Sequence, residues 1–339
     1  MRLFSRSGEP ARGRHRLLVV RSCRNLLLAA AVLGAWVVAA PAGSLSAAAG
    51  ISGATAAAAS DPVVATAGDI ACDPASSKFN GGQGTSSACR ELATSNLIAA
   101  DASIGAVLPL GDNQYGCGGY QAYLGSYAPS WGRFLAMTHP VAGNHEYQTS
   151  GGTDCSSGAA GYFKYFGAAA GDSRGDSAWN LGAWHLIALN GNCGKVGGCG
   201  SGSPQGNFLT QNIGSAGCTL AYWHQPYYNG TSTPVSSYKY FWQTLYNAGA
   251  DVILGGHLHT YSRFAPQDAA GHVDSSRGIR QFIVGTGGED LFSLNGSHNV
   301  EKTTKTFGIL KLTLHATSYD WRFVNASGGT VDSGSAPCH

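Results

Sequence analysis

Five short apolar runs in this chain each finish on side chains able to hold a metal ion. Pro62–Ala67 is followed by Gly68-Asp69, Ala106–Leu110 by Gly111-Asp112, and Pro140–Ala142 by Gly143-Asn144-His145-Glu146. Thr219–Trp223 is followed by His224, and Val252–Leu254 by Gly255-Gly256-His257-Leu258-His259. Runs this short, bounded by glycine, read as buried strands rather than helices. In open α/β sheets the ligand crevice lies beyond the carboxyl ends of the strands, so five such ends have a structural reason to meet.

The rest of the chain fits that arrangement. Ser87–Ala100 and Ser236–Ala248 carry apolar residues at helical spacing and read as crossover helices, with Tyr238, Phe241, Trp242 and Leu245 in the core. From Trp179 onward the texture is more strand-like. Ala183–Leu189 is a further strand, Asn190–Gly206 a long Gly-rich loop, and Phe307–Leu314, Tyr319–Val324 and Gly329–Val331 a meander. The expected fold class is α/β with α+β character: mixed parallel and antiparallel sheets in a single domain over 61–339. With 43% apolar residues, 12% charged residues and 49 glycines, the composition favours strands and tight turns over charged helices.

The N-terminal residues belong to a different category. Arg2, Arg6, Arg12, Arg14, Arg16, Arg21 and Arg24 precede the apolar run Leu26–Ala40, and Ala40-Pro41-Ala42 offers a small-x-small cleavage site. Residues 1–42 therefore read as a secretory signal peptide. The apolar run is shorter than the roughly 20 residues that span a bilayer, which favours cleavage over a retained anchor. Residues 43–60, almost wholly Ala, Gly and Ser, are expected to be a disordered tether. The formal charge of +2 belongs to the leader: its seven arginines against Glu9 leave residues 61–339 at −4. A mildly acidic domain has no electrostatic case for nucleic acid or an anionic membrane. Nothing in the sequence marks an oligomeric state.

Without Cys23, eight cysteines remain, none in a Cys-x2-Cys pair. In an exported, extracellular chain an even number favours disulfides over zinc. Cys193 with Cys199 would close a Gly-rich loop; Cys72 with Cys89, Cys117 with Cys155 and Cys218 with Cys338 are further expected pairings among the 105 possible connectivities.

Hard and borderline ions take carboxylate, imidazole and amide oxygen donors, and a two-metal site needs one oxygen donor in common. Asp69, Asp112, Asn144, His224, His257 and His259 are such donors. His257 and His259, alternating in an extended segment, would point the same way and reach neighbouring ions. Singly, each residue has an ordinary explanation. Gly-Asp after a strand is usually a turn, and a lone histidine such as His139, His185 or His224 is usually hydrogen-bonded in place. Their joint occurrence at strand ends points to a metal centre.

The ordered set Gly68-Asp69, Gly111-Asp112-x-x-Tyr115, Gly143-Asn144-His145-Glu146, His224 and Gly256-His257-x-His259 resembles the calcineurin-like metallophosphoesterases, and within them the purple acid phosphatase branch. The resemblance implies a sandwich of two mixed β-sheets flanked by helices. It implies one ion held by Asp69, Asp112, Tyr115 and His259, and a second by Asp112, Asn144, His224 and His257, so that Asp112 bridges. His145 would orient phosphate or protonate the leaving group. Many members carry Asp-x-His at the first motif. Here Ala71 stands two residues after Asp69, and Tyr115 fills the missing donor's place. The larger plant-type members add an N-terminal β-sandwich domain, for which 61–339 has no room.

That resemblance carries a mechanism. Two ions bring +4 or +5, and Asp69, Asp112 and a Tyr115 phenolate return −3, leaving a positive centre for a phosphate dianion. Water activated as hydroxide by the ions would attack phosphorus in line. A free phenol has a pKa of about 10, so a phenolate ligand asks for a strongly Lewis-acidic ion. Fe(III) with a divalent Zn, Mn or Fe partner is the expected pair. The expected function is a secreted phosphatase acting on small phosphomonoesters. A phosphodiesterase or nucleotidase on the same fold is the alternative within enzymes; an extracellular binding protein with a vestigial metal site is the alternative outside them. Asn113, Gln114, Tyr147, Tyr227, Tyr228 and Arg263 lie close enough to the motifs to be candidates for the substrate pocket.

Overall fold

The strands follow from the apolar runs, but they sort into two separate sheets. The computed structural model describes residues 61–214 and 217–339; the expected signal peptide (1–42) and tether (43–60) lie outside them. Twelve strands form among the described residues: β1 Val63–Ala67, β2 Ile104–Pro109, β3 Ser177–Leu181, β4 Trp184–Ala188, β5 Cys218–Tyr222 and β6 Val252–Gly255. They continue with β7 Tyr261–Phe264, β8 Arg280–Val284, β9 Val300–Thr304, β10 Gly308–Leu314, β11 Ser318–Asn325 and β12 Thr330–Pro337.

One sheet has the order β12-β11-β10-β1-β2, the other β3-β4-β5-β6-β8-β7-β9. Both are mixed. β1 pairs parallel with β2 and antiparallel with β10. β4, β5, β6 and β8 form a parallel centre, flanked by antiparallel β3 and β7.

The two sheets face each other across one core, and period-2 alternation decides which residues enter it. Leu186, Leu220, Leu254 and Phe282 of the larger sheet share that core with Leu310, Leu312, Trp321 and Phe323 of the smaller one. Tyr261 stacks on Phe323 across the gap, with centroids 4.1 Å apart. The alternate residues Ile187, Ala221, Ile253 and Ile283 face outward into a second cluster, under the helix Lys239–Asn247. That helix crosses from β5 to parallel β6, and the helix Glu91–Ala99 crosses from β1 to parallel β2. The fold is the two-sheet sandwich with flanking helices that the motif resemblance implies.

Pro140–Ala142 is a correction. It makes one isolated parallel bridge, Leu110 with Val141, and the residues just before it another, Val107 with Thr138, rather than a continuous strand. His139 and Val141 donate to the carbonyls of Val107 and Pro109, at 2.9 and 3.0 Å. Pro109 has no N–H to return a bond, so the ladder on that edge is broken.

All four expected disulfides are present: Cys72–Cys89, Cys117–Cys155, Cys193–Cys199 and Cys218–Cys338. The last spans 120 residues and fastens the start of β5 to the C-terminal segment. Cys338→Ser, with Cys218 also changed to Ser, is expected to cost about 3–5 kcal/mol through loop entropy restored to the unfolded chain. Equilibrium denaturation reads this directly; an unshifted midpoint would deny the bridge a stabilising role. Among the described residues, no helix is long and apolar enough to cross a membrane.

Candidate metal centre

The loops that leave β1 and β2 stay paired after the strands end. Asp69, Ile70 and Ala71 donate in turn to the carbonyls of Gly111, Asp112 and Asn113, at 3.0–3.1 Å. Asp69 (φ 58°), Asp112 (φ 45°) and His257 (φ 69°) all sit in the left-handed region, which costs an ordinary residue on the order of 1 kcal/mol. Three such residues meeting at one place turn their side chains inward from different strand ends. Two glycines make the approach possible. A Cβ on Gly143 would lie 2.2 Å from the Asp112 carboxylate, and one on Gly111 2.7 Å from the His224 ring.

Every donor singled out in the sequence converges here, in two groups that share Asp112. In the first, the Tyr115 hydroxyl lies 2.9 Å from Asp69 Oδ1, 3.2 Å from Asp112 Oδ2 and 2.9 Å from His259 Nε2. His259 Nε2 is itself 3.1 Å from Asp69 Oδ1. In the second, His224 Nε2 lies 3.0 Å from Asp112 Oδ2 and 3.2 Å from Asn144 Oδ1, and the His257 ring stands 5.1 Å from that of His224. Ligand atoms of Asp112, His224 and His257 all fall within 4.8 Å of one another.

His257 and His259 reach different groups for a reason other than alternation. The segment is a loop, and His257 donates its backbone N–H to Asp69 Oδ2 at 2.8 Å from its left-handed conformation. That bond, rather than an extended backbone, divides the two imidazoles.

The outer hydrogen bonds of His224, His259 and His145 engage Nδ1 and leave Nε2 for the centre. Nδ1 of the fully buried His224 lies 2.8 Å from the Leu110 carbonyl oxygen, which fixes the proton on that nitrogen. Nδ1 of His259 is bonded to the Asp290 carboxylate, and the ring stacks on Phe292. Nδ1 of His145 lies 2.7 Å from the Gly116 carbonyl oxygen; its Nε2 is 3.9 Å from Asp112 Oδ2 and its side chain is 25% exposed.

The electrostatics are those of a concentrated negative site. Burial alone would lower the pKa of His224, but the Asp112 carboxylate outweighs it and pushes the value up to about 9. Burial likewise opposes Asp69 and Asp290 at His259, which is again pushed up to about 9. Burial, then Asp112 and Asp69, holds the Tyr115 phenol well above its usual value. The charge that draws protons onto these imidazoles also draws a cation, and only a cation makes the phenolate accessible.

Two residues without an expected role hold the site. The buried Glu146 carboxylate accepts from the backbone N–H groups of Asp112, Asn113, Gln114 and Gly143 at 2.6–3.2 Å, and from the Tyr123 hydroxyl at 2.9 Å. It ties the third strand-end loop to the second. Asp290 orients His259 from a loop that carries no motif. It does follow an apolar run, Phe282–Val284, through Gly285-Thr286-Gly287-Gly288, so the same pattern of apolar run, glycine and carboxylate stood in the sequence, displaced from the strand end by a longer glycine-rich turn.

The expected pocket candidates are committed elsewhere. Asn113 donates to Val141, and Gln114 to the carbonyls of Cys72 and Tyr115. Tyr227 and Tyr228 donate to Ala269 and Asp268, Tyr147 accepts from Asn190, and Arg263 pairs with Asp332 and Glu301.

Two mixed sheets with polar loops gathered at one end match solved structures across more than four-fifths of the chain. A purple acid phosphatase from yellow lupin (Lupinus luteus) seeds is similar over 82% of this chain, with TM-score 0.64 and 16% identity. A dimetal phosphatase from Danio rerio matches over 83%, with TM-score 0.53 and 12% identity. The fold is that of the calcineurin-like metallophosphoesterases.

This metallophosphoesterase-fold chain spans 54% of the lupin protein's length and 100% of the Danio rerio protein's. GAP50, described as the anchor in the inner membrane complex of Plasmodium, has the same fold: TM-score 0.54, 12% identity, 83% of this chain and 90% of that one. No family model and no curated protein matches the sequence.

Proposed function

We propose that this protein is a secreted, binuclear metal-dependent phosphatase hydrolysing phosphomonoesters. The observation that carries the reading is the shared position of Asp112, whose Oδ2 lies within 3.2 Å of both Tyr115 and His224, one from each donor group. Asp69, Tyr115 and His259 would hold one ion with Asp112, and Asn144, His224 and His257 the other. The donor chemistry fits: carboxylate and phenol oxygen on one side, amide oxygen and imidazole on the other. Two ions there would supply the Lewis acidity that activates water and offsets charge building on phosphorus.

The chain's own residues complete the site. Asp112 Oδ1 accepts the His145 backbone N–H at 2.7 Å, which holds that residue beside the centre, with its Nε2 3.9 Å from Asp112 Oδ2. With its Nδ1 on the Gly116 carbonyl, His145 leaves Nε2 free, on a side chain that is a quarter exposed, to meet a phosphate oxygen. It binds a phosphate oxygen or delivers a proton to the departing alkoxide.

Tyr115 supports Fe(III) with a divalent Zn, Mn or Fe partner, because burial and two carboxylates resist the phenolate that it would have to form. Tyr115→Phe is expected to remove a visible tyrosinate-to-iron absorption band from the iron-loaded protein and lower turnover of aryl phosphate. A band that survives the substitution assigns the chromophore to another residue. Four disulfides support an extracellular location. Fold alone does not separate an enzyme from an anchoring protein such as GAP50; the complete donor set supports the enzyme, and absence of hydrolysis by metal-replete protein would favour the other reading.

A further inference from the structure

A cleft of about 460 Å³ opens directly beside Tyr115, lined by Asp73, Ser76, Gly116, Thr153 and Glu289, with neither lysine nor arginine on its walls. Both walls are fastened. Cys72–Cys89 anchors the chain immediately before Asp73, and Cys117–Cys155 ties the Gly151–Thr153 wall to the chain two residues after Tyr115. Asp73 bridges the walls by accepting from Ala75 N–H at 2.8 Å and from Thr153 Oγ1 at 2.7 Å.

Glu289 differs from Asp73. Its backbone N–H is fixed on the Asp69 carbonyl at 3.0 Å, yet Oε2 is buried with no hydrogen-bond partner among the described residues. A carboxylate oxygen withdrawn from water and left without a donor is costly unless a ligand supplies one. Because Tyr115 belongs both to the donor group and to the wall of this cleft, a phosphate held at the centre would have the cleft beside it as the adjoining space for its ester group.

We propose that the cleft receives the leaving alcohol, and that Glu289, with Asp73 behind it, selects phosphomonoesters whose alcohol carries a cationic amine. The inference rests on the phosphatase reading above and names its substrate class. An amine supplies the N–H donors and positive charge that Glu289 lacks. A second phosphate in the same cleft would meet carboxylates, so nucleoside di- and triphosphates are disfavoured.

The test uses metal-replete protein and two hydrolysis-resistant ligands of equal length, 3-aminopropylphosphonate and butylphosphonate. Calorimetric titration is expected to show the amine bound about tenfold more tightly, on the scale of a charge-assisted bond at a partly buried site. Glu289→Gln is expected to bring the ratio near one, and Glu289→Lys to invert it. Equal affinities in the wild type, a ratio unchanged by Glu289→Gln, or no binding of either ligand would overturn the inference. Hydrolysis of propyl phosphate by the same preparation tests the phosphatase reading separately. An amine preference without hydrolysis would retain the cleft's selectivity and reject the enzyme.

Discussion

Asp112→Asn is expected to lower phosphomonoester turnover by about 10³-fold or more, on the order of 4 kcal/mol of transition-state stabilisation. The reason lies in one atom: Oδ2 faces both donor groups, at 3.2 Å from the Tyr115 hydroxyl and 3.0 Å from His224 Nε2. An amide in its place keeps the shape but gives up the charge that two adjacent cations require between them. Its Oδ1 position is also engaged, accepting the His145 N–H at 2.7 Å, so a flipped amide would place two N–H groups against a donor. Metal analysis is expected to show loss of at least one ion per chain, while the disulfide-fastened sandwich keeps the fold. A variant that retains two ions and turns over within tenfold of the wild type would remove Asp112 from the bridging role.

Glu146→Ala is expected to destabilise the protein by about 3–5 kcal/mol and to disable the centre without removing any candidate ligand. The carboxylate is fully buried and accepts four backbone N–H groups from two different strand-end loops. Alanine leaves those donors unsatisfied and frees Asp112–Gln114 from Gly143. Glu146→Gln is expected to fall between, since its NH₂ group would confront N–H groups where an oxygen now accepts. Chemical denaturation gives the stability change, and hydrogen exchange at Asp112, Asn113 and Gln114 reports the loop itself. A loss below about 1 kcal/mol with unchanged exchange would show that other bonds hold the loops.

Much of the candidate site was legible because its side chains leave a local trace: an apolar run, a glycine, then a carboxylate, amide or imidazole. Asp69, Asp112, Tyr115, Asn144, His224, His257 and His259 are brought together as that trace implied. The crossover helices followed from their apolar spacing, shortened to Glu91–Ala99 and Lys239–Asn247. Other features had no such trace. Pro140–Ala142 carried a strand's composition, but Pro109 on the neighbouring strand breaks its ladder. Asn113 and Gln114 sit inside the strongest motif yet turn to backbone carbonyls, because a buried loop must satisfy its own polar groups first.

The sequence by itself determined which polar side chains follow apolar runs, since periodicity and glycine placement are properties of neighbouring residues. It also carried the disulfide-bonding cysteines and the substitution of Ala71 for a donor beside Asp69. Only the tertiary structure decided how those ends face one another. The left-handed turns at Asp69, Asp112 and His257, the Glu146 clamp, Asp290 behind His259 and the acid-lined cleft at Glu289 all depend on contacts between loops distant in sequence. Such contacts are set by packing of two sheets against one core, and no local pattern encodes that packing.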